Sequence, residues 1–372
     1  MAGLYVHIPF CKSRCVYCGF YSTTLDSMRQ KYVDALVREL ELRKGYCDTR
    51  WDTVYLGGGT PSTLDARQLE TLFCAIDCSS AREVTMECNP DDVDDTFSEV
   101  VAALPVNRVS MGAQTFNADR LRFLRRRHSA SDVAKAVGKL RRAGIGNISV
   151  DLMYGFPEET MEDWERDIET ALQLGVEHLS AYCLMYEEGT PLFKMREEGR
   201  VAEADEELTR AMYYLLVDRL EAAGYEHYEV SNFALEGRRS LHNSSYWTGI
   251  PYMGIGAAAH SYDGKSRQWN IDNVPIYINK VKEGVVPFEK ELLDDSERYN
   301  DMVMLALRRR EGIDLSRMAL EFGTAAVEEC LSLSRKFVKT GLLSIEGSHL
   351  RLTREGLYVS DMVMSELMSV GD

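Results

Sequence analysis

The chain has 372 residues, of which 45% are hydrophobic and 27% charged, a balance that supports a sizeable core and argues against intrinsic disorder. Its net charge of −16 repels phosphate backbones and anionic lipid surfaces, so generic nucleic-acid and membrane binding are poor candidates. No run reaches the roughly 18 consecutive apolar residues of a membrane span, and the N-terminus lacks a basic-then-apolar secretory pattern, which predicts a cytoplasmic protein without an integral membrane segment.

Short β-branched or aromatic runs at 4–8, 53–56, 84–87, 108–111, 148–152 and 178–182 predict six strands. Between them, apolar residues recur at helical spacing: Val33, Leu36, Val37 and Leu40, then Val133, Ala136, Val137 and Leu140, then Trp164, Ile168, Ala171 and Leu172. Alternating strands and helices imply parallel strands with right-handed crossovers, hence an α/β sheet or barrel. The connectors after the strands carry Cys11, GGGTP, ECNP, GAQ and YGFP. Carboxyl ends of parallel strands are where such folds place their sites. Regularity is lost near residue 225, so 1–224 reads as the barrel and 225–292 as a separate covering region. Residues 293–372 read as a winged-helix-like domain, with helices at 297–307, 315–322 and 326–340 and a hairpin of 342–345 with 350–353 about Gly347. This domain carries 10 basic and 14 acidic residues, and Glu328 and Glu329 open its third helix. Acids there oppose phosphate, which favours packing or partner docking over DNA binding.

Nine cysteines is an odd number, and three of them, Cys11, Cys15 and Cys18, form C-x3-C-x2-C directly after the first strand. The crowding suits metal ligation in a reducing compartment better than a disulfide framework. Three thiolates can hold three irons of a [4Fe-4S] cluster and leave the fourth open. The competing reading is a zinc site that recruits His7. Gly57, Gly58, Gly59 and Thr60 follow the second strand, where missing side chains let the backbone approach a ligand. Glu87 ends the third strand, Gln114 and Arg126 lie beyond the fourth, and Asp151 sits in the fifth.

The cysteine spacing, with the aromatic Tyr17 before the last cysteine, resembles the radical S-adenosylmethionine (SAM) superfamily. That resemblance implies a partial (β/α)6 TIM-like barrel, a [4Fe-4S] cluster, and SAM chelating the open iron and cleaved to methionine and a 5′-deoxyadenosyl radical. YVHIPFC, GGGTPS, ECNP, SMGAQTF and DLMYGFP are similar, over nearly the whole chain, to the HemN/HemW group of oxygen-independent coproporphyrinogen III oxidases and heme chaperones. By motif position, the resemblance implies that Tyr5, Gly58 and Glu87 surround the cluster-bound SAM, and that Tyr17, Gly59, Thr60, Gln114, Arg126, Asp151 and Met185 form a second SAM site.

Two features separate the branches. The oxidase pattern continues with a cysteine at position 20, where this chain has Phe20, which puts decarboxylase activity in doubt. His242, Asn243, Ser244, Ser245, Tyr246 and Trp247 match the HNxxYW motif of the chaperone branch. An imidazole can supply an axial ligand to heme iron, and Tyr246 and Trp247 offer flat faces to the macrocycle. His260, after GIGAAA, ranks below His242 as a candidate ligand. The implied function is a heme chaperone with heme as cargo and heme-receiving client proteins as partners, with a homodimer possible and nucleic acid excluded. The alternatives are oxidative decarboxylation of coproporphyrinogen III and a winged-helix redox regulator.

Overall fold

The computed structural model describes residues 2–47 and 50–368; the outermost ends of the expected first and last regions lie outside these. Strands β1 (Ala2–Ile8), β2 (Trp51–Gly58), β3 (Glu83–Cys88), β4 (Arg108–Gln114), β5 (Ile148–Tyr154) and β6 (His178–Cys183) run parallel in sequence order. All six predicted runs are therefore strands. β1 is buried at nearly every residue, as expected where helices cover one face and the barrel interior the other. The helix Ala130–Arg142 buries Val133, Ala136, Val137 and Leu140, the whole predicted stripe, and opens with a Ser129–Asp132 capping box. The fold class is thus as expected, a partial α/β barrel with a mainly helical C-terminal domain.

The expected covering region at 225–292 is instead divided between the two edges of the same sheet. β7 (Glu226–Glu229) and β8 (Asn232–Ala234) form a hairpin paired antiparallel to β6. β9 (Tyr252–Ile255) pairs parallel to β1, and β10 (His260–Tyr262), β11 (Ser266–Asn270) and β12 (Phe288–Leu292) continue outward from it. The described residues thus build a twelve-stranded sheet with β12 and β7 at its edges. Strands of three to five residues with mixed polarity carry too little period to be read beforehand.

Glu39 fastens the outward extension. It lies fully buried on the helix Arg29–Leu42 and accepts hydrogen bonds from Tyr277 Oη at 2.6 Å, Gly256 N and Asn270 Nδ2 at 2.8 Å, and Arg43 at 3.2 Å. A buried carboxylate with every oxygen engaged is a specific tie, not an error of patterning.

The C-terminal domain has its own core of Val303, Leu307, Met318, Cys330, Phe337 and Leu350. Its helix Asp295–Leu307 is followed by β13 (Ile313–Asp314), a helix Leu315–Lys339 interrupted at Gly323, and the hairpin β14 (Leu343–Glu346) and β15 (His349–Leu352). Gly323 has φ +85°, and this break produces the two separate helices that the sequence suggested. Two further helices, Arg354–Tyr358 and Ser360–Leu367, pack beyond the hairpin. Among the described residues, no helix is long and apolar enough to cross a membrane.

Candidate functional site

The loop after β1 carries the three cysteines, all half-buried and none in a disulfide. Three backbone hydrogen bonds hold it, two to Thr23 and one to Leu192: Thr23 N to Pro9 O at 2.7 Å, Cys11 N to Thr23 O at 2.9 Å, and Leu192 N to Val16 O at 2.9 Å. Val16 packs with Leu124, Met153, Phe156, Leu184 and Leu192, so the loop is seated in a small core of its own. Thr60 Oγ1 donates to Cys11 Sγ and an Arg126 Nη donates to Cys15 Sγ, each at 3.6 Å. Burial holds the Cys11 and Cys18 thiols above their ordinary range. Among the described residues, no three His, Cys, Asp or Glu side chains converge tightly enough to hold one metal ion. His7, the fourth ligand a zinc site would recruit, has both ring nitrogens engaged, by Tyr5 Oη and Tyr21 O, so the three thiols are left as a donor set that fits a cluster better than zinc.

The cysteines face a cavity of about 1090 Å³ at the carboxyl ends of β2 to β6. Tyr17, Gly58, Gly59, Thr60, Glu87, Gln114, Arg126, Asp151 and Met185 all line it. Tyr5 does not; its hydroxyl hydrogen-bonds His7 Nδ1 at 3.0 Å, and it opens to a second cavity. Glu87 accepts from Tyr55 Oη at 2.7 Å and from Gly58 N at 3.2 Å. Burial nevertheless raises its carboxyl to about 7. Asp151 is likewise raised by burial, against the pull of Ser180, Arg108 and Ser110. Arg126 also donates to Asn89 Oδ1 at 2.8 Å and to Gly112 O at 2.5 Å. Gln114 adopts φ +68°, a left-handed conformation costly for a non-glycine residue and concentrated at functional sites.

Packing also keeps side chains off the glycine triplet. A Cβ on Gly58 would lie 2.5 Å from the His7 ring, and one on Gly59 would lie 2.8 Å from the Pro9 backbone. Side chains are excluded there by the β1 segment, and Gly58 also needs its φ of +110°. Gly58 and Gly59 also line the cavity, where the missing side chains leave the backbone open.

A second cavity, about 1290 Å³, opens between the β9–β12 extension and the C-terminal domain. Gly19 and Phe20 border both cavities, with Phe20 72% exposed. Tyr246, Trp247, His260 and Trp269 line the outer one. His242 does not. The helix Leu241–Trp247 turns residues four apart to one side, and His242 is 0% exposed beneath Tyr246, hydrogen-bonded to Tyr246 Oη and Thr53 Oγ1 at 2.8 Å each. Its ring stacks on Tyr55 at 5.0 Å, and burial lowers its imidazole to about 3. The expected axial ligand thus has both ring nitrogens occupied in the core, whereas Tyr246 and Trp247 stand at the cavity wall.

Residues 5–171 match the model of the radical SAM superfamily, and residues 293–359 match that of the HemN C-terminal domain. The chain is 33% identical over 378 residues to the heme chaperone HemW of Bacillus subtilis, covering 99% of each chain. It is also 33% identical to HemW of Lactococcus lactis, over 98% of this chain and 96% of that one. The chain belongs to the HemW family of radical SAM proteins. The crystallised coproporphyrinogen III oxidase HemN of Escherichia coli has the same fold, with a TM-score of 0.85 and 22% identity over 99% of this chain and 90% of that one.

Within this HemW-family fold, sequence reading missed two residues of the inner cavity. Arg108 is 1% exposed at the start of β4, with Nε and one Nη lacking a hydrogen-bond partner, and it faces Glu87 and Asp151 electrostatically. Tyr55 carries the hydroxyl that holds Glu87. The available signal was an arginine and a tyrosine inside runs that are otherwise apolar and buried on both faces.

Proposed function

We propose that this protein is a heme chaperone, which binds heme and passes it to client proteins. In this reading Cys11, Cys15 and Cys18 hold a [4Fe-4S] cluster, and Gly58, Glu87 and the polar residues around Arg126 receive SAM in the inner cavity. The chemistry such a group supplies when bound is one-electron transfer at an iron left open for SAM. The chain's own residues do the rest: Glu87 presents a carboxylate with a raised pKa for an amino or hydroxyl group, and Arg126 shields a thiolate.

The observation that carries the reading is a second, aromatic-rich outer cavity, bordering the cysteine cavity at Gly19 and Phe20, on a chain matching proteins named heme chaperones end to end. A flat apolar cargo needs such walls and does not need the cluster chamber. Titrating heme into anaerobically prepared, cluster-loaded protein should give a saturable Soret band. No carbon dioxide should be released when coproporphyrinogen III, SAM and a reductant are supplied. Absence of saturable heme binding, or steady decarboxylation, overturns the assignment.

A further inference from the structure

The seven histidines divide sharply by what their rings touch. His7, His128, His178, His227, His242 and His349 each make a ring hydrogen bond, to a hydroxyl or a backbone carbonyl. His260 makes none with the described residues. It is exposed on β10, at the wall of the outer cavity. Its backbone is fixed from both sides: the ladder sets it opposite Trp269 of β11, and His260 packs so closely on Gly254 of β9 that no Cβ fits there. The two rings of the His260–Trp269 pair stack at 6.2 Å and 28°. A ring held by stacking at a cavity wall, with no hydrogen bond to the described residues, is available as a donor to something outside the chain.

The charges of the cavity complete the picture. Arg267 is paired with Asp301, and Arg317 donates to Glu321 at 2.7 Å. Arg309 has a weaker tie, 4.0 Å from Glu311, and its buried Nε lacks a partner. A guanidinium in this condition suits a carboxylate brought in by a ligand. Partial desolvation at the cavity wall and the charge of Arg267 also keep the His260 imidazole below its usual range.

We propose that His260, not His242, is the protein's axial ligand to heme iron, with the macrocycle against Trp247 and Tyr246 and a propionate directed to Arg309. The assignment rests on the heme-chaperone reading and names its site. The coordination step is a donation of the imidazole lone pair to iron and requires no redox partner.

The experiment is a heme titration of cluster-loaded, full-length wild type, His260→Ala and His242→Ala, followed at the Soret band and by resonance Raman. His260→Ala should weaken binding by about tenfold or change the ligand-sensitive spectrum, with added imidazole restoring the wild-type spectrum. His242→Ala should keep the wild-type spectrum. Retention of affinity and spectrum in His260→Ala, with loss in His242→Ala, overturns the site while leaving a heme carrier. If wild type itself binds no heme, the underlying reading falls and this proposal with it.

Discussion

The inner and outer cavities are built by opposite means from one sheet. The inner one gathers polar residues at the carboxyl ends of long parallel strands, where connector after connector contributes a side chain. The outer one is walled by short antiparallel strands, one short helix and the C-terminal domain, and its lining is rich in aromatic residues and arginine. Rigid central strands suit a centre whose ligands must keep fixed distances. A sheet extension against a second domain suits a cargo that has to enter and leave whole.

The strongest way to test this separation is to empty one side alone. Cys15→Ala should abolish the broad iron–sulfur absorption in the visible, while heme uptake at the Soret band persists. Joint loss of both in this variant would show that the cavities form one site. Next in size, Glu39→Ala leaves Arg43, Tyr277 and Asn270 without their shared carboxylate, and should cost about 3–5 kcal/mol in denaturant unfolding. The extension carrying His260 should loosen first, seen as faster amide exchange in β9 to β11 than in β3 to β5.

A smaller effect concerns pH. Burial lifts Glu87 from 4.5 to about 7, so the folded chain binds this proton more tightly than the unfolded one between those values. Stability of the protein without its cofactors should therefore fall as pH rises through that window and level off above it, by about 3 kcal/mol. Glu87→Gln should flatten the curve; an unchanged slope would assign the proton elsewhere. Smallest in stability is Phe20→Ala, expected within about 0.5 kcal/mol of wild type because the ring is exposed. Its effect should appear instead as faster bleaching of the cluster in air, since Phe20 borders both cavities.

The barrel was legible because its strands are buried on both faces and so read as unbroken apolar runs, and because the cysteine spacing is specific. The outer extension was not, since β9 to β12 are short and draw their stability from neighbours distant in the chain. The same limit applied to the histidines. A motif that sets His242 beside Tyr246 and Trp247 in text says nothing about which face of the helix it occupies. Helical spacing turned His242 inward onto Thr53, and strand pairing turned His260 outward onto Trp269. Arg108 escaped for another reason: a buried cation is specified by carboxylates on other strands, and the ladder brings those together only in space.

The placement of β1 has a consequence for synthesis. It is made before either partner, yet it lies between β2 and β9 and lacks its second neighbour until residues 252–255 have been made. The cysteine loop hangs directly from its end. Most of the chain must therefore exist before the loop's supporting strand is paired on both sides, so the seat of the three cysteines is a late product of folding although they come early in the sequence.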